Sequence, residues 1–189
     1  VPFGLIIFSF LNKMKKKIAI LGSTGSIGLS SLKIINKKKK YFAPYIFIAK
    51  KNYNLICKQI KAYNPKYFII TDKKIYKKIK LKFKKKKIII LNNLKELKLK
   101  KKSDITISSI PGIDGLPFTF SMIRLSKKIL IANKEAIICG WDLIKNQSAK
   151  FKTKIIPIDS EHYSIMKLLE NHSLKEIRKI YITASGGPF

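Results

Sequence analysis

The chain has 189 residues, 46% of them hydrophobic, and a formal charge of +31 from 41 basic and ten acidic residues. That length buries a full core and holds one domain, or one domain with the start of a second, which excludes a miniature disulfide scaffold; the two cysteines, Cys57 and Cys139, match no metal-ligand spacing and read as small buried hydrophobes in a reduced protein. The charge is almost all lysine, with only Arg124 and Arg178 as arginine, and no stacking or groove-reading motif accompanies it, so compositional drift explains it ahead of a nucleic-acid surface.

Residues 1–13, VPFGLIIFSFLNK, lack the leading charge and cleavage site of a signal peptide, and their apolar run is shorter than the roughly 20 residues of a membrane span. They read as an extension outside the fold, ahead of Met14, and the cytoplasm is the default location. The first strand is expected over 17–21. It runs into Gly22-Ser23-Thr24-Gly25-Ser26-Ile27-Gly28 and then a helix over 26–36 with apolar Leu29, Leu32 and Ile35. Strand, glycine turn and helix in that order suit a pyrophosphate: Gly22 permits a tight turn, Gly25 a close backbone approach and Gly28 close helix packing.

A second strand, 45–49, ends in Lys50-Lys51-Asn52, where a fold selective for NAD would place an acid on the ribose. Cations there favour a 2′-phosphate and hence NADP, although any loop of so lysine-rich a chain can carry two. A helix over 55–63, the turn Asn64-Pro65, a strand over 67–71 and a helix over 73–82 follow. The stretch 73–102 holds fifteen lysines and one acid, Glu96, and reads as solvated helix and loop surface. Strands are expected at 88–91 and 104–108, closed by the turn signals Asn92-Asn93 and Pro111-Gly112, with a helix at 115–126 after the second. The alternation predicts an α/β chain with a doubly wound, mostly parallel Rossmann-type sheet.

The strand over 129–132 ends in Asn133-Lys134-Glu135, an amide, an ammonium and a carboxylate at a crevice edge, or the capping group of the helix over 135–148. The sheet should be filled by then, so residues 14–150 form a cofactor domain and 151–189 begin a second, α+β domain. A strand over 154–158 leads into Asp159-Ser160-Glu161-His162 and a helix over 160–170. If the backbone stays extended through this tetrad, Asp159 and Glu161 share one face and can grip Mg²⁺ or Mn²⁺; alternatively Asp159 or Ser160 caps the helix. His162 is not assigned to the metal and is suited to orienting a carboxylate. A last strand, 180–183, ends in Ala184-Ser185-Gly186-Gly187-Pro188-Phe189, able to offer Ser185 and backbone amides to a phosphate, or a simple turn.

Taken together, GSTGSIG at 22–28, ANKE at 132–135, DSEH at 159–162 and SGGPF at 185–189 resemble the 1-deoxy-D-xylulose 5-phosphate reductoisomerases in order and spacing. The resemblance implies NADPH-dependent rearrangement and reduction of 1-deoxy-D-xylulose 5-phosphate to 2-C-methyl-D-erythritol 4-phosphate, in non-mevalonate isoprenoid biosynthesis. Position by position it implies NADPH contacts at Thr24, Gly25, Ser26, Ile27, Lys51, Asn52, Asn133 and Glu135. Lys50 stands where the family usually has glycine, and its charge could serve the 2′-phosphate. Substrate contacts fall on Lys134, Ser160, Glu161 and Ser185, and metal ligands on Asp159 and Glu161. The partners implied are a small phosphorylated sugar and, at full length, a second copy in a homodimer, with neither nucleic acid nor membrane. The family chain is longer, so this piece is expected to be inactive alone. The alternatives are an inactive truncated gene product, another NADP-linked reductase, which leaves DSEH and SGGPF unexplained, or a basic nucleic-acid-binding fragment.

Overall fold

A computed structural model of the chain describes residues 14–181. Seven strands, β1 (Lys16–Leu21), β2 (Phe42–Ala49), β3 (Tyr67–Ile70), β4 (Ile89–Leu91), β5 (Ile105–Ser108), β6 (Lys128–Ile131) and β7 (Lys154–Pro157), form one sheet. Every pairing is parallel, in the order β4-β3-β2-β1-β5-β6-β7. Strands covered on both faces must be apolar on both, and the runs Ile18–Leu21, Tyr45–Ala49 and Tyr67–Ile70 are buried throughout. They take the middle of the sheet for that reason.

The period of two along β1 divides the core. Ile18 and Ile20 join Phe47, Phe68 and Ile70 beneath α1 (Ser26–Lys37), α2 (Tyr53–Tyr63) and α3 (Lys73–Lys82). Ala19 and Leu21 join Ile46, Ile48 and Ile69 on the other face, against α4 (Gly115–Ile123) and α5 (Lys134–Phe151). The chain winds outward from β1 to β4 on one side, then crosses back to β5 on the other. The strand order therefore reverses between β1 and β5, and the strand ends splay apart there to leave a crevice. The lysines at 37–40 and 84–87 lie exposed at the end of α1 and beyond α3. Among the described residues no helix is long and apolar enough to cross a membrane.

Three expectations change. The sheet is not filled by residue 150: β7 pairs with β6 from Lys128↔Lys154 to Ile131↔Pro157, because its backbone finds a free parallel edge there. Ile180 and Tyr181, expected to open an eighth strand, are exposed and carry no strand; the remainder of that segment, with Ser185, lies outside the described residues. The helix expected over 135–148 is longer and is kinked at Gly140, where the backbone is non-helical and an added Cβ would stand 2.5 Å from the tip of the Leu116 side chain of α4. The helix α6 (Ser160–Leu169) follows β7 directly.

Candidate functional site

The crevice at the reversal point has a volume of about 600 Å³. One wall is the glycine loop between β1 and α1. Gly22 has φ +83°, and a Cβ on it would stand 3.0 Å from the Ser109 carbonyl oxygen, so both conformation and space demand glycine. At Gly28 a Cβ would lie 2.3 Å from the Gly22 oxygen, which is how closely α1 sits on the loop. Gly25 differs. Its φ is −81°, and a Cβ would meet only the Gly22 oxygen at an ordinary 3.4 Å, so nothing inside the protein requires glycine there. Gly25 is also the N-cap of α1, which has no side-chain cap and no acid in its first turn. The helix thus presents its positive end and its leading amides without a competing anion. Thr24 and Gly25 line the crevice, with Ser26 and Ile27 exposed beside them.

Ile48, Ala49, Lys50 and Thr71, at the ends of β2 and β3, supply another wall. Lys50 lines the space, whereas Lys51 is exposed outside it and Asn52 caps α2 by accepting from the Leu55 N–H at 3.1 Å. The remaining wall is Ser109, Ile110, Pro111 and Asp114 with Pro117 and Phe118 of α4. Two tethers hold it. Ser109 donates through N–H and Oγ–H to the Leu21 carbonyl, at 3.1 and 2.7 Å, joining the ends of β5 and β1. Asn133, 4% exposed, donates through Nδ2 to the carbonyls of Ile110 (2.6 Å) and Gly112 (2.7 Å). Gly115 makes room for that amide, since a Cβ would fall 2.4 Å from Asn133 Nδ2. The nitrogen of Asn133 is therefore engaged with the loop, while Glu135 is exposed in the first turn of α5.

A second hollow, about 450 Å³, lies between α5, the end of β7 and the start of α6. Ile137, Ile138, Trp141, Ile155 and Pro157 give it apolar walls, and Lys134, Asp159 and His162 bring polar groups to it. The extended backbone assumed for the tetrad stops at Asp159. Asp159 is the N-cap of α6, and Ser160 and Glu161 are already helical, so strand alternation does not place the two carboxylates. The orphan amides of a helix start account for this: Asp159 Oδ1 accepts the His162 N–H at 3.0 Å and stands 2.6 Å from His162 Nδ1. Partial burial pushes the Asp159 carboxyl up, but the backbone N–H and ring of His162 outweigh it and hold the group below the usual carboxylate range. Ser160 Oγ donates to Glu161 Oε2 at 3.3 Å. Among the described residues no group of three or more His, Cys, Asp or Glu side chains could hold a metal. Asp159 and Glu161 each carry the hard carboxylate oxygen that Mg²⁺ or Mn²⁺ takes, and of the two only Asp159 is among the residues lining the hollow.

Sequence reasoning passed over Thr71, Ser109, Asp114 and Phe118 on the crevice walls, and Gln59 behind the glycine loop. Only Gln59 left a signal, as a polar residue at an apolar position of α2.

The profile of 1-deoxy-D-xylulose 5-phosphate reductoisomerase matches residues 18–141, and that of the C-terminal domain of the same enzyme matches residues 155–189. The 1-deoxy-D-xylulose 5-phosphate reductoisomerase of Pelagibacter ubique (strain HTCC1062) is 47% identical over 178 residues, covering 92% of this chain and 46% of that protein. Its counterpart in Buchnera aphidicola subsp. Schizaphis graminum is 41% identical over 191 residues, covering 92% and 48%. The enzyme of Zymomonas mobilis, solved in complex with NADPH, superposes with a TM-score of 0.72 at 28% identity, over 79% of this chain and 40% of that one. A DOX-P reductoisomerase solved with NADPH, fosmidomycin and magnesium gives 0.72 at 28% identity, over 78% and 37%. The chain spans about half the length of the curated relatives it matches.

Proposed function

The chain belongs to the 1-deoxy-D-xylulose 5-phosphate reductoisomerase family, and on that premise we propose that residues 14–150 bind NADPH while 151–189 begin the cation and substrate region. The reaction proposed for the whole enzyme is rearrangement of 1-deoxy-D-xylulose 5-phosphate and its reduction by NADPH to 2-C-methyl-D-erythritol 4-phosphate. The boundary is supported by the break between the two matching profiles, after residue 141 and before residue 155. A cytoplasmic location and a homodimer belong to the same proposal.

The observation that carries the cofactor assignment is Gly25. A residue with room for a side chain, at an uncapped helix start facing the reversal-point crevice, has its reason for being glycine in what enters the crevice. A pyrophosphate resting on the backbone of Thr24, Gly25, Ser26 and Ile27 supplies that reason. Lys50, on the neighbouring wall, is placed for the adenosine 2′-phosphate, with Lys51 as a more distant charge. Asn133 keeps the facing loop in place, and Glu135 lies near the nicotinamide end.

Asp159 and Glu161 would hold the divalent cation, whose charge polarises substrate oxygens when it is bound. Lys134, Ser160, Glu161 and Ser185 would contact the substrate. Lys134, directed at the hollow that Asp159 and His162 also line, balances developing negative charge there. The apolar walls strengthen that interaction by excluding water.

The test is a titration of the chain with NADPH and NADH at low salt. NADPH binds more tightly, and Lys50→Glu weakens NADPH about tenfold by placing a carboxylate against the phosphate, leaving NADH nearly unchanged. Equal affinity for the two cofactors in the unsubstituted chain refutes the assignment.

A further inference from the structure

Gln59 occupies an unusual position for its chemistry. In α2 the residues at 56, 59, 60 and 63 follow the spacing of a buried helical face, and Ile56 and Ile60 fill it as expected. Gln59 shares that face and is 3% exposed. A buried carboxamide needs partners for both of its ends. It finds both on one residue 36 positions away: Ser23 Oγ–H donates to Gln59 Oε1 at 2.7 Å, and Gln59 Nε2 donates to the Ser23 carbonyl at 2.7 Å.

Ser23 is the second residue of the glycine loop, itself fully buried, and its N–H donates to the Ile48 carbonyl at 2.9 Å. Every polar group of Ser23 is thereby tied to β2 or α2. The peptide between Ser23 and Thr24 is trans and planar, so a carbonyl drawn toward α2 turns the Thr24 N–H the opposite way. Thr24 is also the first residue after the clamp to line the crevice. The adjoining turn depends on Gly22 at φ +83°, which has no steric preference to hold it in one conformation. The Gly25 N–H is held within the loop by the Gly22 carbonyl at 3.0 Å, whereas the direction of the Thr24 N–H is imposed from outside it, by α2.

We propose that Gln59 is a positioning residue for the dinucleotide, which clamps Ser23 and so aims the Thr24 N–H at the pyrophosphate without touching the cofactor. This rests on the NADPH reading above and extends it to a residue behind the loop. Preset donors bind an anion better than donors that must be ordered on binding, so the clamp acts on affinity for the pyrophosphate and not on the adenosine end.

The 189-residue chain and its variants are titrated with NADPH and with adenosine 2′-monophosphate, which lacks the pyrophosphate. Gln59→Met keeps length and volume but removes both hydrogen bonds; it raises the NADPH Kd about tenfold and leaves that of adenosine 2′-monophosphate within about twofold. Ser23→Ala removes only the hydroxyl bond and raises the NADPH Kd about threefold, and the double variant is no worse than Gln59→Met, as one shared interaction requires. Ile79→Val, a fully buried core change in α3, lowers Tm while leaving both Kd values unaltered, which separates positioning from general loosening. If Gln59→Met fails to fold, Ser23→Ala decides. Unchanged NADPH binding in the variants, or equal loss for both ligands, overturns the clamp. A wild-type chain that does not bind NADPH at all overturns the cofactor assignment instead.

Discussion

Two strand-to-helix turns of this molecule solve the same local problem with opposite charge. Each runs from the carboxyl end of a parallel strand into a helix whose first amides lack backbone partners. At β1–α1 the cap is Gly25, and no side chain answers those amides. At β7–α6 the cap is Asp159, whose carboxylate accepts from His162 and brings negative charge to the hollow it lines. The first arrangement leaves a place for an anion. The second already carries one, and it is suited to cations. A helix start is thus not a phosphate site by geometry alone; the residue at the cap decides its sign.

Exchanging the caps breaks the comparison most directly. Gly25→Asp gives α1 the cap that α6 has, and the φ of −81° and open Cβ position accept it, so stability should change by less than about 0.5 kcal/mol. NADPH binding should fall roughly a hundredfold, about 3 kcal/mol, because the new carboxylate would face the pyrophosphate proposed for this turn. Isothermal titration beside a urea melt checks both halves, and intact NADPH affinity in the folded variant would remove the pyrophosphate from this turn.

The reverse change is smaller. Asp159→Ala strips the cap from α6 and should cost about 1 kcal/mol in denaturant unfolding, with NADPH affinity unaltered because the residue stands across the sheet from the glycine loop. A drop in NADPH affinity comparable to that of Gly25→Asp would mean that the two turns are not separate sites.

The smallest effect belongs to an acid at the other end of the sheet. Asp104 accepts the Lys17 N–H at 2.8 Å and pairs with Lys127 at 2.7 Å. Partial burial pushes its carboxyl up, but the Lys127 ammonium and the Lys17 N–H outweigh this and hold it below the usual range. A depressed folded value means stabilisation that is present above the unfolded carboxylate range and disappears as pH falls through the folded value. Asp104→Asn should cost about 0.5 kcal/mol at neutral pH, since Lys127 is two-thirds exposed and an amide oxygen still accepts from Lys17. The gap should close in acid. Urea midpoints of the two proteins across pH 2–7 test it, and a gap that widened in acid would contradict the assigned charge pair.

Much of the fold was legible because its signals are local. The alternation of apolar runs with helical periods placed six helices and seven of the strands to within a few residues, and the apolar runs around β1, β2 and β3 mark them as the buried middle of a parallel sheet. The strand expected over 180–183 is met only at Ile180 and Tyr181, whose β-prone side chains carry no strand among the described residues, since propensity alone supplies no pairing partner. The end of the sheet was misjudged for a related reason. Whether β7 joins depends on an open edge at β6, which no pattern within residues 154–157 records.

The sequence alone determined where glycine must stand, since Gly22 and Gly28 are demanded by turn and packing within a segment of seven residues, and it determined that Asp159 or Ser160 was chemically able to start a helix. Tertiary structure decided what faces what. It put Lys50 rather than Lys51 on the crevice wall, turned the Asn133 amide onto the loop at Ile110 and Gly112, and brought Gln59 behind Ser23. A side chain's own preferences extend about one helical turn or one strand pleat along the chain, whereas each of these outcomes depends on strand order and on partners up to 36 residues away.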